Sequence, residues 1–166
     1  LGTIGGPFTL TGTDGQPFAS SRLNGRPAAL FFGFTHCPDV CPTTLATFRQ
    51  VHELLGEAAA NVRFLFVTVD PRRDDVARMA EYVTRFHPEF LGLTGDLSAM
   101  EQVWAEYGIY VNALPADPQR GGAYEVEHSA LTFLIDRDGM MRIVHNHGTP
   151  AEDIVHDIRL LLSERG

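Results

Sequence analysis

Cys37 and Cys41 are the two cysteines of this chain, and both lie in Gly33-Phe34-Thr35-His36-Cys37-Pro38-Asp39-Val40-Cys41-Pro42. On one helical turn an i,i+4 pair shares a face, with Cβ atoms about 5–6 Å apart. Both sulfurs can then reach one metal ion, or close a disulfide with modest adjustment. Pro, Asp and a preceding His make the stretch polar and turn-like, which argues against two incidental core cysteines. The positive end of a following helix is expected to lower the thiol pKa and favour thiolate. Two thiolates are soft donors, suited to Cu(I), Zn(II) or an iron–sulfur fragment rather than Mg(II) or Ca(II). A structural zinc or iron–sulfur site wants four ligands, so the third donor decides the chemistry.

The chain has seven histidines. His52 and His156 fall inside helical patterns and read as structural. His87 precedes Pro88 at a helix end and reads as a cap or surface residue. His145 and His147 alternate at a strand end, where terminal polar residues are the plainer reading and a metal pair the sharper one. His36 adjoins Cys37, and neighbours on an extended loop point apart, so tuning of the thiolate or contact with a partner suits it better than ligation. His128 lies just before the apolar run Ala130–Ile135. On its own pattern it reads equally well as a ligand or as a hydrogen-bonding residue.

The elements around these residues follow from periodicity. Phe8-Thr9-Leu10 and Gln16-Pro17-Phe18 flank Asp14-Gly15 and predict an N-terminal β-hairpin. Asn24-Gly25-Arg26-Pro27 predicts a turn. The apolar run 28–34 predicts a strand buried on both faces. A helix is expected from Thr43 to about Leu55, with Pro42 in its first turn and Gly56 as its stop. Residues 62–69 predict a second buried strand, ended by Asp70-Pro71. Asp70 could orient a ligand or a partner, or only turn the chain. Asp74-Asp75 are expected to cap a helix over 76–86.

A strand at 90–94 and a helix from Asp96 to Tyr107 come next, then a short strand or extended segment at 109–111. Residues 113–122 read as a polar, mobile loop. A strand at 130–135, a turn at 136–139, a returning strand at 140–145 and a helix opening at 149–153 close the chain. Alternating strands and helices predict one α/β domain over 1–166. Its expected form is a thioredoxin-like central mixed sheet flanked by helices, with the N-terminal hairpin. In that arrangement the segment entering the strand at 130 abuts the cysteine loop, where thioredoxin carries a proline. Here the order is Tyr124-Glu125-Val126-Glu127-His128-Ser129-Ala130, and the imidazole would face the cysteines.

Net charge is −8, and no lysine is present. Nucleic acid and anionic membrane surfaces are therefore poor partners. Arginine without lysine suggests a GC-rich bacterial gene. No run approaches a membrane span. The chain starts at Leu1 rather than Met, so a trimmed or mature fragment is expected, with any anchor upstream.

The motifs Phe31-Phe32-Gly33-Phe34-Thr35-His36-Cys37-Pro38-Asp39-Val40-Cys41-Pro42, Val69-Asp70-Pro71-Arg72-Arg73-Asp74 and Tyr124-Glu125-Val126-Glu127-His128-Ser129 together resemble the Sco (SenC-type) family of copper-binding cytochrome c oxidase assembly proteins. The resemblance spans essentially the whole chain. It implies a site of Cys37, Cys41 and His128 for Cu(I) or Cu(II), with Asp70, His36 and Tyr124 around it. Tyr124 could pack over that site or fill the core edge.

The implied role is delivery of copper to the dinuclear copper centre of an oxidase subunit, or reduction of that subunit's cysteines. Another copper chaperone or a thiol reductant is the implied second partner. The implied setting is the bacterial periplasm, with a monomer tethered to the inner membrane by an N-terminal segment. The alternative is a thiol–disulfide oxidoreductase using Cys37 and Cys41, with a peroxidase a weaker third. The absence of C-x-x-C spacing and of a proline before Ala130 weighs against a general oxidoreductase.

Overall fold

A computed structural model describes residues 5–20, 23, 25–37 and 40–164. Strands β1 (Thr9–Gly12) and β2 (Pro17–Ala19) form the expected hairpin. Then come β3 (Ala28–Gly33), helix α1 (Val40–Leu55), β4 (Arg63–Thr68), α2 (Val76–Thr84), β5 (Leu91–Thr94) and α3 (Leu97–Glu106). The chain continues through β6 (Val111–Ala113), β7 (Val126–His128), β8 (Leu131–Ile135), β9 (Met141–Asn146) and α4 (Ala151–Ser163). Short 3-10 helices occupy Gly56–Asn61 and Pro118–Arg120. No helix among the described residues is long and apolar enough to cross a membrane.

The main sheet has seven strands in the order β2-β1-β5-β4-β3-β8-β9. Strands β3, β4 and β5 run parallel, whereas β8 and β1 flank them antiparallel. This is the mixed thioredoxin-like sheet that the alternating pattern predicts. All six residues of β3 are buried, because helices cover both of its faces. Ala29 and Phe31 meet α1, α2 and α4, while Leu30 and Phe32 meet α3 and the N-terminal segment. The period-2 alternation of a strand makes that division.

Four boundaries differ from expectation. Helix α1 begins at Val40, three residues before the expected Thr43, so Cys41 is helical. The short strand or extended segment expected at 109–111 is β6 at Val111–Ala113, and it pairs with β7, which has no counterpart in the expected element order. Residues 113–122, expected as a polar mobile loop, are the excursion of this second, two-stranded sheet and fold around the 3-10 turn. Helix α2 is capped by Asp75 alone, which accepts from the Arg78 N–H at 2.8 Å. The expected turn at 24–27 includes Asn24, and the CPDVCP motif includes Pro38 and Asp39; these three lie outside the described residues.

Candidate metal centre

The cysteines sit where β3 ends and α1 begins, beside the carboxyl ends of the parallel strands, where open α/β sheets hold their sites. A turn in which the Cys37 N–H donates to the Phe34 carbonyl (3.1 Å) leads into the helix. Cys37 is half-buried and Cys41 buried, and the sulfurs are not bonded to each other. Cys37 Sγ accepts the Cys41 backbone N–H at 3.4 Å and so serves the first turn of α1.

Behind Cys41 the strand comes very close. A Cβ on Gly33 would stand 2.6 Å from Cys41 Sγ and 2.7 Å from the Phe66 ring. Only a residue without a side chain lets the sulfur lie against β3 there.

The third donor comes from β7. His128 pairs in register with Val111 of β6. It ends a strand, so the two-stranded sheet and not a free loop positions it. The edges of Phe31 and Phe34 meet its ring, with centroids 6.3 and 5.7 Å away. Nδ1 lies 3.0 Å from the Ser129 carbonyl. A carbonyl accepts only from N–H, so in the neutral ring Nδ1 carries the proton and Nε2 offers the lone pair.

Donor atoms of Cys37, Cys41 and His128 all lie within 4.8 Å of one another. Two soft sulfurs and one imidazole nitrogen fit copper in either oxidation state. A cleft of about 320 Å³ opens beside them, lined by Phe34, Cys37, Val40, Glu125, Glu127 and His128.

The Cys41 thiol departs from expectation. Its pKa is raised, not lowered: the hydrogen bond to Cys37 comes first, then burial, then the neighbouring Cys37 charge. Proximity to a second sulfur in an apolar pocket outweighs the helix end.

Asp70 and Tyr124 meet each other. The Tyr124 hydroxyl donates to Asp70 at 2.7 Å, and Arg73 Nε donates to the same carboxylate at 2.5 Å. Arg73 also stacks 3.7 Å over the Tyr124 ring. Burial, followed by the hydrogen bond to Asp70, raises the Tyr124 pKa. Asp70 thus ties the segment before β7 to the end of β4. His36 is exposed, touches the Thr35 hydroxyl at 3.3 Å, and groups with Asp70 and Asp74 rather than with the thiols.

Asp74 was not apparent as a site residue in the sequence. It is fully buried. It accepts from the Thr35 N–H (3.1 Å), the Thr35 hydroxyl (2.6 Å) and the Thr68 hydroxyl (2.8 Å), and so clamps the strand leading to Cys37 onto β4. Burial raises its pKa, against the hydrogen bonds that lower it. The available signal was the doubled Asp74-Asp75, since one helix start uses one cap. His145 faces Asp157 at 2.9 Å, and His147 meets the Thr44 hydroxyl at 3.4 Å, so the two do not form a pair.

The mouse (Mus musculus) mitochondrial SCO2 homolog is 41% identical over 157 residues, which are 93% of this chain and 60% of that protein. The chain therefore spans about 60% of that relative's length. Bradyrhizobium japonicum ScoI with copper bound superposes with a TM-score of 0.86 at 38% identity, covering 96% of this chain and 99% of that one. Yeast Sco1 with copper bound gives 0.86 at 30% identity, covering 99% and 91%. The SCO1/SenC family model matches residues 2–163, nearly the whole length, and the chain belongs to that family.

Proposed function

We propose that this chain binds one copper ion through Cys37, Cys41 and His128 and passes it to the dinuclear copper centre of a cytochrome c oxidase subunit. The observation that carries this is the convergence of two sulfurs and one imidazole, all within 4.8 Å, at the edge of an open cleft. Three protein donors leave room for a partner's thiolates to enter before the chain's own leave, so the ion can move by stepwise ligand exchange. Relatives in which copper is bound support the choice of metal. Asp70, Tyr124 and His36 then act around the ligands, with Asp70 and Tyr124 holding the segment that carries His128. The same reading places the domain in the bacterial periplasm, tethered beside the oxidase as a monomer.

A second reading, reduction of the partner's disulfide, is favoured by the asymmetry of the two thiols: Cys37 is half-exposed and Cys41 buried. Cys37 thiolate would attack the disulfide and release one partner thiolate. Cys41 would then lose its proton to that thiolate, displace the second and close a Cys37–Cys41 disulfide. A dithiol reductant would be needed for the next cycle.

The test is anaerobic addition of Cu(I), and separately Cu(II), to fully reduced protein beside His128→Ala. The expected result is one Cu(I) per chain, and one thiolate-bound Cu(II) per chain marked by sulfur-to-copper charge-transfer absorption. In the variant Cu(I) stays on two thiolates, whereas the Cu(II) band is lost or strongly changed, because Cu(II) needs the third donor. A Cu(II) band indifferent to His128, or no copper binding in either state, would move the case to disulfide exchange.

A further inference from the structure

At the far end of α1, about 16 Å along the helix from Cys41, the fold brings together three residues that the sequence keeps apart. His52 lies in the last turn of α1, and His87 and Glu89 lie in the turn between α2 and β5. Their donor atoms all stand within 4.8 Å of one another. His52 Nε2 faces Glu89 Oε2 at 3.0 Å, and the Glu89 backbone N–H donates to His87 Nδ1 at 3.1 Å. The two imidazoles lie against each other at a tilt, with centroids 3.9 Å apart and planes inclined by 37°.

Apolar rings back this cluster. His52 packs near Phe64 and Phe90, and His87 near Phe90, with centroids between 5.1 and 6.4 Å across the group. One side is therefore closed by aromatic rings and the other opens to solvent at Glu89. A tetrahedral ion with bonds of about 2.0–2.1 Å spaces its donors about 3.4 Å apart. The observed cluster needs only small rotations of half-exposed side chains to reach that.

We propose that His52, His87 and Glu89 form a second metal site, selective for a divalent ion of the Zn(II) or Cu(II) class and independent of the cysteines. Two imidazoles and a carboxylate are borderline-to-hard donors, favouring divalent zinc, copper or nickel over Cu(I), whereas the thiolate pair favours Cu(I). The ion takes the place of the proton between His52 Nε2 and Glu89 Oε2; the neutral ring then carries its proton on Nδ1, and any second proton leaves to solvent. At His87 the hydrogen bond from the Glu89 N–H is given up either way: binding through Nδ1 exchanges it for a coordinate bond, and binding through Nε2 moves the ring proton to Nδ1, which then no longer accepts. The ion would tie the end of α1 to the α2–β5 turn. The bland alternative, a hydrogen-bonded His52–Glu89 pair with the tilted His87 ring beside it, binds no metal.

The experiment uses tag-free full chain carrying Cys37→Ser and Cys41→Ser, titrated with Zn(II) by calorimetry and with Cu(II) by electron paramagnetic resonance. One ion per chain is expected, with nitrogen hyperfine structure and no sulfur-to-copper band. With zinc at about 100 times its Kd the unfolding midpoint should rise by roughly 5–10 °C. His87→Ala should abolish both effects, and Glu89→Gln should weaken them. If the serine variant does not fold, the same titration compares wild type with His87→Ala, where the expected difference is one ion per chain. Zinc binding no greater than that of His87→Ala overturns the site, and so does binding that His87→Ala leaves intact. Loss of copper at the cysteines leaves this result untouched, so the two proposals fail separately.

Discussion

At the scale of single residues, the cysteine pocket depends on an atom that is absent. A methyl group at Gly33 would overlap Cys41 Sγ at 2.6 Å and the Phe66 ring at 2.7 Å. Neither neighbour can retreat far, because both are buried and close-packed. Gly33→Ala is expected to cost about 1–3 kcal/mol of stability, the usual range for overpacking. Because the sulfur must shift, it should also weaken copper retention more than the stability loss alone requires. Denaturant unfolding and competition with a Cu(I) chelator measure the two effects, and unchanged copper competition would show that the pocket has slack. The cysteines were legible because their types and spacing announce soft-donor chemistry. Gly33 and Asp74 were not. A glycine in an apolar run looks like a strand residue until a sulfur is found against it. An aspartate beside a helix cap looks like a second cap until its three hydrogen bonds to Thr35 and Thr68 are seen.

At the scale of elements, the β6–β7 pair is the part that periodicity missed. Each strand is three residues long. Of β7 only Val126 is buried, and β6 is largely exposed, so no alternating apolar signal marks either. Their pairing is a long-range event that the local pattern does not encode. The main sheet was legible for the opposite reason, since β3, β4 and β8 are nearly all buried and read as continuous apolar runs. Beside the buried Val126 side chain and the packing of His128 on Phe31 and Phe34, the Tyr124 hydroxyl on Asp70 fastens the missed pair to that sheet. Hydrogen bonds to charged groups contribute about 1.5–3 kcal/mol. Because Arg73 remains on the carboxylate, Tyr124→Phe should destabilise by about 1–2 kcal/mol. Amide exchange over Val126–His128 should quicken, and copper should leave faster than from the wild type, while the thiols react unchanged. Unaltered exchange there would mean that the strand pairing alone holds His128.

At the scale of the whole molecule, the proposed donors join parts of the chain far apart in sequence. Cys37 and Cys41 belong to the β3–α1 junction, and His128 belongs to the small sheet. Glu125 and Glu127 line the same cleft, so an overall acidic chain presents negative charge where a cation would enter. An ion that binds the native state alone stabilises it by mass action, by about 2.7 kcal/mol at 100 times its Kd. In a domain of this size each kcal/mol moves the unfolding midpoint by roughly 2–4 °C, so Cu(I) should raise it by about 5–10 °C. Oxidation removes both thiolates at once, and a disulfide cannot hold Cu(I) as they do. The expected outcome is therefore a copper-dependent rise in reduced protein, none in oxidised protein, and full recovery on re-reduction. Scanning calorimetry with and without Cu(I) within each redox state separates this from the disulfide's own effect on stability. An equal rise in the oxidised protein would place the ion on donors other than Cys37 and Cys41 and sink the proposed centre. If the rise follows the thiols, the redox state of one cysteine pair decides whether the whole domain carries its ion.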